Sequence, residues 1–520
     1  MIDRILTVGG ITLLSRVTGF LRDIMLAAVL GAGPVADAFF VALRLPNHFR
    51  AIFAEGAFNA AFIPAYARVR VASGADAVRL FSDRIFMLLL ASQIVLLGAA
   101  VLFTPLVIDL LAPGFSKDPG RFALAVDLTR ITFPYLLLVS LVTLYGGILN
   151  ALDRFAAAAA APILLNLSMM MTLALAAFFP TAGHAAAWGV LLAGILEFLL
   201  VAGDTARQGV MPRFCWPRID AEVMLFLKRF WPATIGSAGT QIALFADTII
   251  ASFLATGALS ALYYADRLNQ LPIGVIGIAA GTVLLPEMAR RITAGDEAGA
   301  SHSQNRAIEL TLLLSVPCLV AFVIVPDLIM RGLFGRGAFT TADAHAAALT
   351  LMAYAIGLLP FVLMRSVTAT FLSRGDTSTP VKALFVAVAV NVALKILLMD
   401  RFAQVGLAFA TSVGAWINLA LLVWFSVRRN FLVIDRRLRQ SSAKFAVAGA
   451  ALAAALLLGE RPVGALFAGW PSLRNEMTLL VLAVIGAIIY GIAIRVLFNR
   501  VWRDLMRGRP GSVPPAANIE

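Results

Sequence analysis

The chain is poor in charge, histidine and cysteine. Only 14% of its 520 residues are Asp, Glu, Lys or Arg, where soluble domains carry about 25%. Its two cysteines, Cys215 and Cys318, stand far apart without metal-ligand spacing, which excludes a disulfide framework and a cysteine zinc site. His48, His184, His302 and His345 are as scattered, so no metal is expected. No stretch between apolar runs is long enough for a soluble domain. None shows an alternating strand pattern or a glycine-rich phosphate loop. An ATPase and a soluble catalytic domain are thereby excluded. Carboxylates do not cluster at a membrane face, which argues against a glycosyl- or phosphotransferase acting on polyprenyl phosphates. No catalytic residue and no cofactor is expected.

What the chain has in abundance is apolar surface. Apolar residues make up 61% of it, and the mean hydropathy is +0.90. A water-soluble protein could not hide that much, so the expectation is an all-α polytopic membrane protein. The net charge of +13 would point to nucleic acid in a soluble protein. Here it fits cytoplasmic loops and a few charges inside the membrane, and no nucleic-acid partner is expected. The first apolar stretch carries Arg16, Arg22 and Asp23 in its middle. A cleavable signal peptide has an uninterrupted apolar region there, so this stretch reads as a first membrane helix.

Spans of about 20 mostly apolar residues number about fourteen, at roughly 5–31, 35–67, 85–112, 127–151, 162–180, 184–206, 223–254, 258–289, 307–334, 345–373, 381–400, 404–427, 443–459 and 477–498. Pro46 and Pro272 predict kinks or breaks in the second and eighth. With the N-terminus inside, the outward loops hold Lys117, Arg121, Arg336, Arg401, Arg461 and Arg474, while the remaining loop arginines and lysines fall inward. The positive-inside rule then puts both termini in the cytoplasm. The tail after Asn499, basic and then rich in Pro and Gly, is read as disordered at its end.

A weak internal repeat runs through the chain. Pro134-Tyr135-Leu136-Leu137-Leu138-Val139-Ser140 matches Pro360-Phe361-Val362-Leu363-Met364-Arg365-Ser366, and Pro64-Ala65-Tyr66-Ala67-Arg68 matches Pro286-Glu287-Met288-Ala289-Arg290 at nearly the same offset. Phe20-Leu21-Arg22-Asp23 similarly parallels Phe245-Ala246-Asp247. A six-helix unit enters twice from the same side, so the repeats are parallel, with a substrate site between them. The resulting division is 1–220 and 221–430 for the two six-helix lobes, 431–500 for two extra helices and 501–520 for a cytoplasmic tail.

Ionisable groups within spans are the informative residues. Arg16, Arg22, Asp23, Asp37, Arg44, Arg50 and Glu55 fall in the first two spans, and Asp266 and Arg267 in the eighth. Internal pairing with Asp23, Asp37 and Glu55 would explain some of the arginines as helix-holding ion pairs. The arginines outnumber those acids, so an excess must face water. Arg16 and Arg22 lie about 120° apart and about 9 Å along the helix, able to line a wide cavity if Gly19 permits a bend. Excess guanidinium suits a phosphate or pyrophosphate cargo and disfavours a cation or drug antiporter. Gly274, Gly277 and Gly281 read as a close-packing face, and Phe39, Phe40, Phe53, Phe58 and Phe62 as packed or lipid-facing aromatics.

The motifs are distinctive. Ser15-Arg16-Val17-Thr18-Gly19-Phe20-Leu21-Arg22-Asp23, Asp37-Ala38-Phe39-Phe40-Val41-Ala42 with Leu45-Pro46-Asn47, Phe53-Ala54-Glu55-Gly56-Ala57-Phe58, Tyr264-Ala265-Asp266-Arg267-Leu268, Gly281-Thr282-Val283-Leu284-Leu285-Pro286 and Asp376-Thr377-Ser378-Thr379-Pro380 together resemble the MurJ/MviN lipid II flippases from about residue 4 to 430. The resemblance implies a MOP-type fold and a lipid-tail groove formed by the two extra helices. It implies an inner-membrane flippase in peptidoglycan synthesis whose cargo is lipid II, the undecaprenyl pyrophosphate-linked disaccharide-peptide. Membrane lipids and cell-wall synthesis enzymes are then candidate partners. Arg16, Arg22, Arg50 and Arg267 take the positions of the cavity arginines, with Asp37 and Glu55 as functional acids. A cation site of some relatives maps onto Asp247, Asn391 and Thr411, but Lys395 stands where a second acid is expected, which puts sodium coupling in doubt. The nearest rival is a MOP-type exporter of another polyprenyl-linked oligosaccharide.

Overall fold

The computed structural model describes residues 2–51 and 57–499, without the side chains of 2–8, 57, 233, 235–243 and 278–283. Every regular element among the described residues is helical. The chain separates into two compact units: 1–264 with 334–343 and 396–404, and 265–333 with 344–395 and 405–520.

The first unit holds α1 (Ile2–Leu30), α2 (Pro34–Phe49), α3 (Ala57–Leu102), α4 (Thr104–Leu111), α5 (Pro119–Thr132), α6 (Pro134–Ala151), α7 (Ala156–Ala174), α8 (Ala182–Arg207) and α9 (Ala221–Ser252). The division falls inside α10 (Ala258–Pro272), whose first half belongs to this unit. The second unit holds α11 (Ile278–Thr293), α12 (Glu297–Ile324), most of α13 (Pro326–Phe334) and α14 (Thr341–Ala355), and then α15 (Leu358–Leu372). Most of α16 (Ser378–Arg428), and all of α17 (Arg436–Leu466) and α18 (Arg474–Leu497), complete it.

Two long helices conceal corners. Gly74 in α3 (φ 81°, ψ −172°) and Ala403 in α16 (φ 44°, ψ −130°) are not helical, so each helix is two spans. With those divisions, the described helices group into fourteen spans at the expected places. Nine helical segments are long and apolar enough to cross a membrane on composition alone; α1, α9 and α10 fall short because they carry the charges. Both proline expectations hold. The second span stops at Phe49, shortly after Pro46, and the eighth passes from α10 through a wide π turn at Ile273–Gly277 before α11. The thirteenth is a full 31-residue helix rather than the short one expected.

Aspartates set where several helices begin. Asp118, Asp220, Asp296 and Asp435 each accept a backbone N–H from the first turn of α5, α9, α12 and α17, satisfying donors that a helix start otherwise leaves open. In the first unit the core is aromatic: Phe58, Phe62, Phe81 and Tyr145 are buried with Phe226, joining α3, α6 and α9. Phe39, Phe40, Phe58 and Phe62 are all buried, so they are packing residues, while Phe53 lies outside the described residues. Large apolar side chains stand exposed along many helices, among them Val95, Leu102, Leu110, Phe385, Leu458 and Leu466. That exterior suits hydrocarbon and would be a liability in water.

Candidate functional site

The site begins on α1. Arg16 is exposed and makes no hydrogen bond or ion pair among the described residues. Six residues on, Arg22 is held from two sides. Its Nε and Nη2 donate to Asp23 Oδ1 at 3.1 and 2.7 Å, and its Nη1 donates to Asn166 Oδ1 at 3.0 Å. Asn166, from α7, donates in turn to the Ser15 carbonyl and to Thr18 Oγ1 at 3.0 and 3.1 Å. A Cβ on Gly19 would lie 3.4 Å from the Asn166 side chain. Gly19 therefore serves close approach of α7 in an unbroken helix, where a bend was expected. Asp23 also accepts from the Tyr263 hydroxyl at 3.3 Å, and Tyr263 stacks on Phe40 with ring centroids 3.9 Å apart. Arg22 is thus oriented and half-balanced, whereas Arg16 carries its charge into the open.

Asp37 has a different place. It is fully buried and takes four hydrogen bonds: Arg121 Nη2 at 2.9 Å, the Gly257 and Ser260 backbone N–H groups at 2.8 and 2.9 Å, and Ser260 Oγ at 2.6 Å. The last three cap the start of α10, so the carboxylate fastens α2, α5 and α10 within the first unit. Its cation, Arg121, is only 5% exposed and lies 3.7 Å over the Phe115 ring. The sequence assigned Arg121 to an outward loop; the structure puts it inside α5, as the buried partner of an intramembrane acid. Glu55, the other expected acid, lies outside the described residues.

Arg50 follows α2 as its C-cap, its N–H directed at the Asn47 and Pro46 carbonyls. Its half-buried side chain lines a cavity of about 160 Å³ within the first unit, together with Asn59, Thr143, Asn150 and Glu197. Glu197 is 3% exposed in the middle of α8 and lies 3.5 Å from the Tyr135 hydroxyl. Sequence analysis passed over it, although a lone acid in an apolar span was signal enough.

In the second unit, Asp266 and Arg267 are neighbours on α10, and the Gln270 amide donates to Asp266 Oδ2. Another arginine was missed here. Arg365 is the eighth residue of the 15-residue α15, exposed, and without a hydrogen bond or ion pair among the described residues. An arginine at mid-span costs about 2.5–3.5 kcal/mol even on the lenient insertion scale unless it faces water. The sequence alignment of the repeats printed it opposite Val139, where it read as a mere mismatch.

The expected cation-site residues are divided. Asn391, Lys395 and Thr411 belong to the second unit and Asp247, on α9, to the first. Lys395 is 2% exposed. Thr411 spends its hydroxyl proton on the Leu407 carbonyl at 3.0 Å, and the Asn391 Cβ lies 3.0 Å from where a Gly414 Cβ would be, bringing the two halves of α16 together. No group of three or more metal-binding side chains occurs among the described residues.

Comparison with known proteins places this arrangement. A solved structure titled lipid II flippase MurJ, inward closed conformation, superposes with a TM-score of 0.80 at 23% identity, over 96% of this chain and all of that one. An inward-facing MATE transporter of the MOP superfamily superposes with a TM-score of 0.66 at 14% identity, over 84% and 99%. The fold is that of a MOP-superfamily membrane transporter. A family described as lipid II flippase MurJ matches residues 26–468. Proteins described as probable lipid II flippase MurJ are 38% identical in Rhizobium tropici, over 100% of this chain and 99% of that one, and 41% identical in Rhizobium meliloti, over 88% and 86%. A third, from Vibrio cholerae, is 35% identical over 96% of each. The chain belongs to the MurJ lipid II flippase family.

Proposed function

We propose that this chain carries lipid II from the inner to the outer leaflet of the bacterial inner membrane by alternating access, with 1–220 and 221–430 as the moving halves and both termini in the cytoplasm. Family membership supports the cargo. The observation that carries the mechanism is Arg16, a cation without a protein counter-ion on an apolar helix, beside the oriented Arg22. A guanidinium in that setting is suited to a pyrophosphate, which accepts paired N–H donors. Arg50 and Arg267 extend the basic lining, and 431–500 receives the polyprenyl tail. No covalent bond is made or broken in such a cycle. Exporting two negative charges from a cell held at 100 mV inside-negative gains about 4–5 kcal/mol, so the membrane potential can drive it. In place of the sodium ion, the Lys395 ammonium serves as the internal cation and pairs with Asp247.

The test is the amount of lipid II accessible on the outer leaflet of cells depleted of this protein. Rescue by wild type but not by Arg16→Ala or Arg267→Ala is the expected result. Normal exposure in depleted cells overturns the proposal and leaves another polyprenyl-linked oligosaccharide as cargo.

A further inference from the structure

Arg365 is the arginine that neither the motifs nor the repeat assigned, and its surroundings say what it does. It stands halfway along α15, within the continuous apolar span Thr341–Leu372. It has no carboxylate or hydrogen-bond partner among the described residues. A guanidinium cannot shed its charge by losing a proton, so it must lie against water or an anion.

Its stem is seated deliberately. A Cβ on Gly277 would come within 3.0 Å of Arg365 Cδ and 3.1 Å of Nε. Gly277 closes the π turn that follows Pro272. Such turns interrupt helices mostly where function requires it. Among the three glycines read as a packing face, this one therefore makes room for an arginine. The same helix line carries Arg267 ten residues earlier, about 15 Å away along the axis at 1.5 Å per residue. One strand of structure thus presents cationic groups at two depths: Arg267 from α10 itself, and Arg365 laid across its π turn from α15.

We infer that Arg365 and Gly277 form a second anion-binding subsite in the second unit, taking the diphosphate of a polyprenyl-diphosphate cargo at a depth distinct from that of Arg267. Two cationic stations along one helix let an anion pass between them without crossing an uncompensated stretch. The inference rests on the flippase reading given above. It also explains why the second copy of the repeat has arginine where the first has Val139: the diphosphate is handed along one side only.

The experiment is binding of undecaprenyl diphosphate to the full-length purified protein in nanodiscs, with undecaprenyl monophosphate as comparison. Arg365→Gln is expected to weaken diphosphate binding about tenfold, in line with a lost charge-assisted contact. Arg365→Lys, which keeps the charge, is expected to lose less. Gly277→Ala, which displaces the side chain without removing it, is expected to reproduce part of the Arg365→Gln loss. Melting temperatures of the three variants near that of wild type exclude misfolding as the cause. Wild-type affinity in both Arg365→Gln and Gly277→Ala overturns the subsite while leaving the flippase reading intact. A wild-type protein that binds neither lipid removes the flippase reading itself.

Discussion

At the residue scale, the acids and arginines in the membrane divide into those that hold the protein together and those left over. Asp37 belongs to the first kind. Removing one partner of a buried pair strands the other charge, at a cost of about 3–5 kcal/mol. Asp37→Ala is therefore expected to lower thermal stability in detergent strongly, and Arg121→Met to lower it as well. The double variant should recover part of the loss, with a coupling of about 0.5–3 kcal/mol in a double-mutant cycle. Additive losses would show that the pair is not the source of the stability. The presence of Asp37 was legible in the sequence as an acid inside a span, but its role was not. Its partners, Arg121, Gly257 and Ser260, are 84, 220 and 223 residues away, and no local pattern announces a contact over that separation. Arg16 was legible for the opposite reason: its chemistry depends on having no partner, which composition alone foretells.

At the scale of elements, the motif Asp376-Thr377-Ser378-Thr379-Pro380 proves to be a helix start. Asp376 accepts from the Ser378 and Thr379 backbone N–H groups at 3.1 and 3.0 Å, from Thr379 Oγ1 at 2.6 Å, and from Arg429 at the far end of α16. The Thr379 hydroxyl and N–H, then Arg429 and Ser378, hold its carboxyl well below the usual carboxylate range. A depressed folded value means that this contribution is complete above the ordinary aspartate pKa and is lost as pH falls through the lower folded one. Asp376→Asn should cost about 1 kcal/mol or more, typical of a lost cap, in thermal melts at neutral pH. The gap from wild type should close as the medium is acidified below the ordinary aspartate range. A gap independent of pH would assign the loss to shape rather than charge. Gly19 offers a second check at this scale. Gly19→Ala presses on Asn166 and so on the orientation of Arg22, and rescue of lipid II exposure should fall while expression holds. The spans themselves were readable because twenty apolar residues leave little choice in lipid. Corners such as Gly74 and Ala403 were not, since a change of direction between two apolar helices needs only one residue out of place.

Over the whole molecule, the coupling can be separated from the fold. Transport that rises with an inside-negative potential in proteoliposomes and is indifferent to sodium is expected, with Lys395→Ala reducing it; a sodium requirement would remove the role given to Lys395. The fourteen-span layout followed from hydropathy, and the family from motifs, whereas the grouping into compact units cuts through α10, where no break in composition marks it. The corner at Ala403 bears on laboratory practice. A non-glycine residue in so sparsely populated a conformation costs about 1–3 kcal/mol, while glycine there gives up about 0.5–1 kcal/mol of chain freedom. Ala403→Gly is thus a change that eases the fold without touching any charge, and it offers structural biologists a hardier starting material from which every other variant can be made.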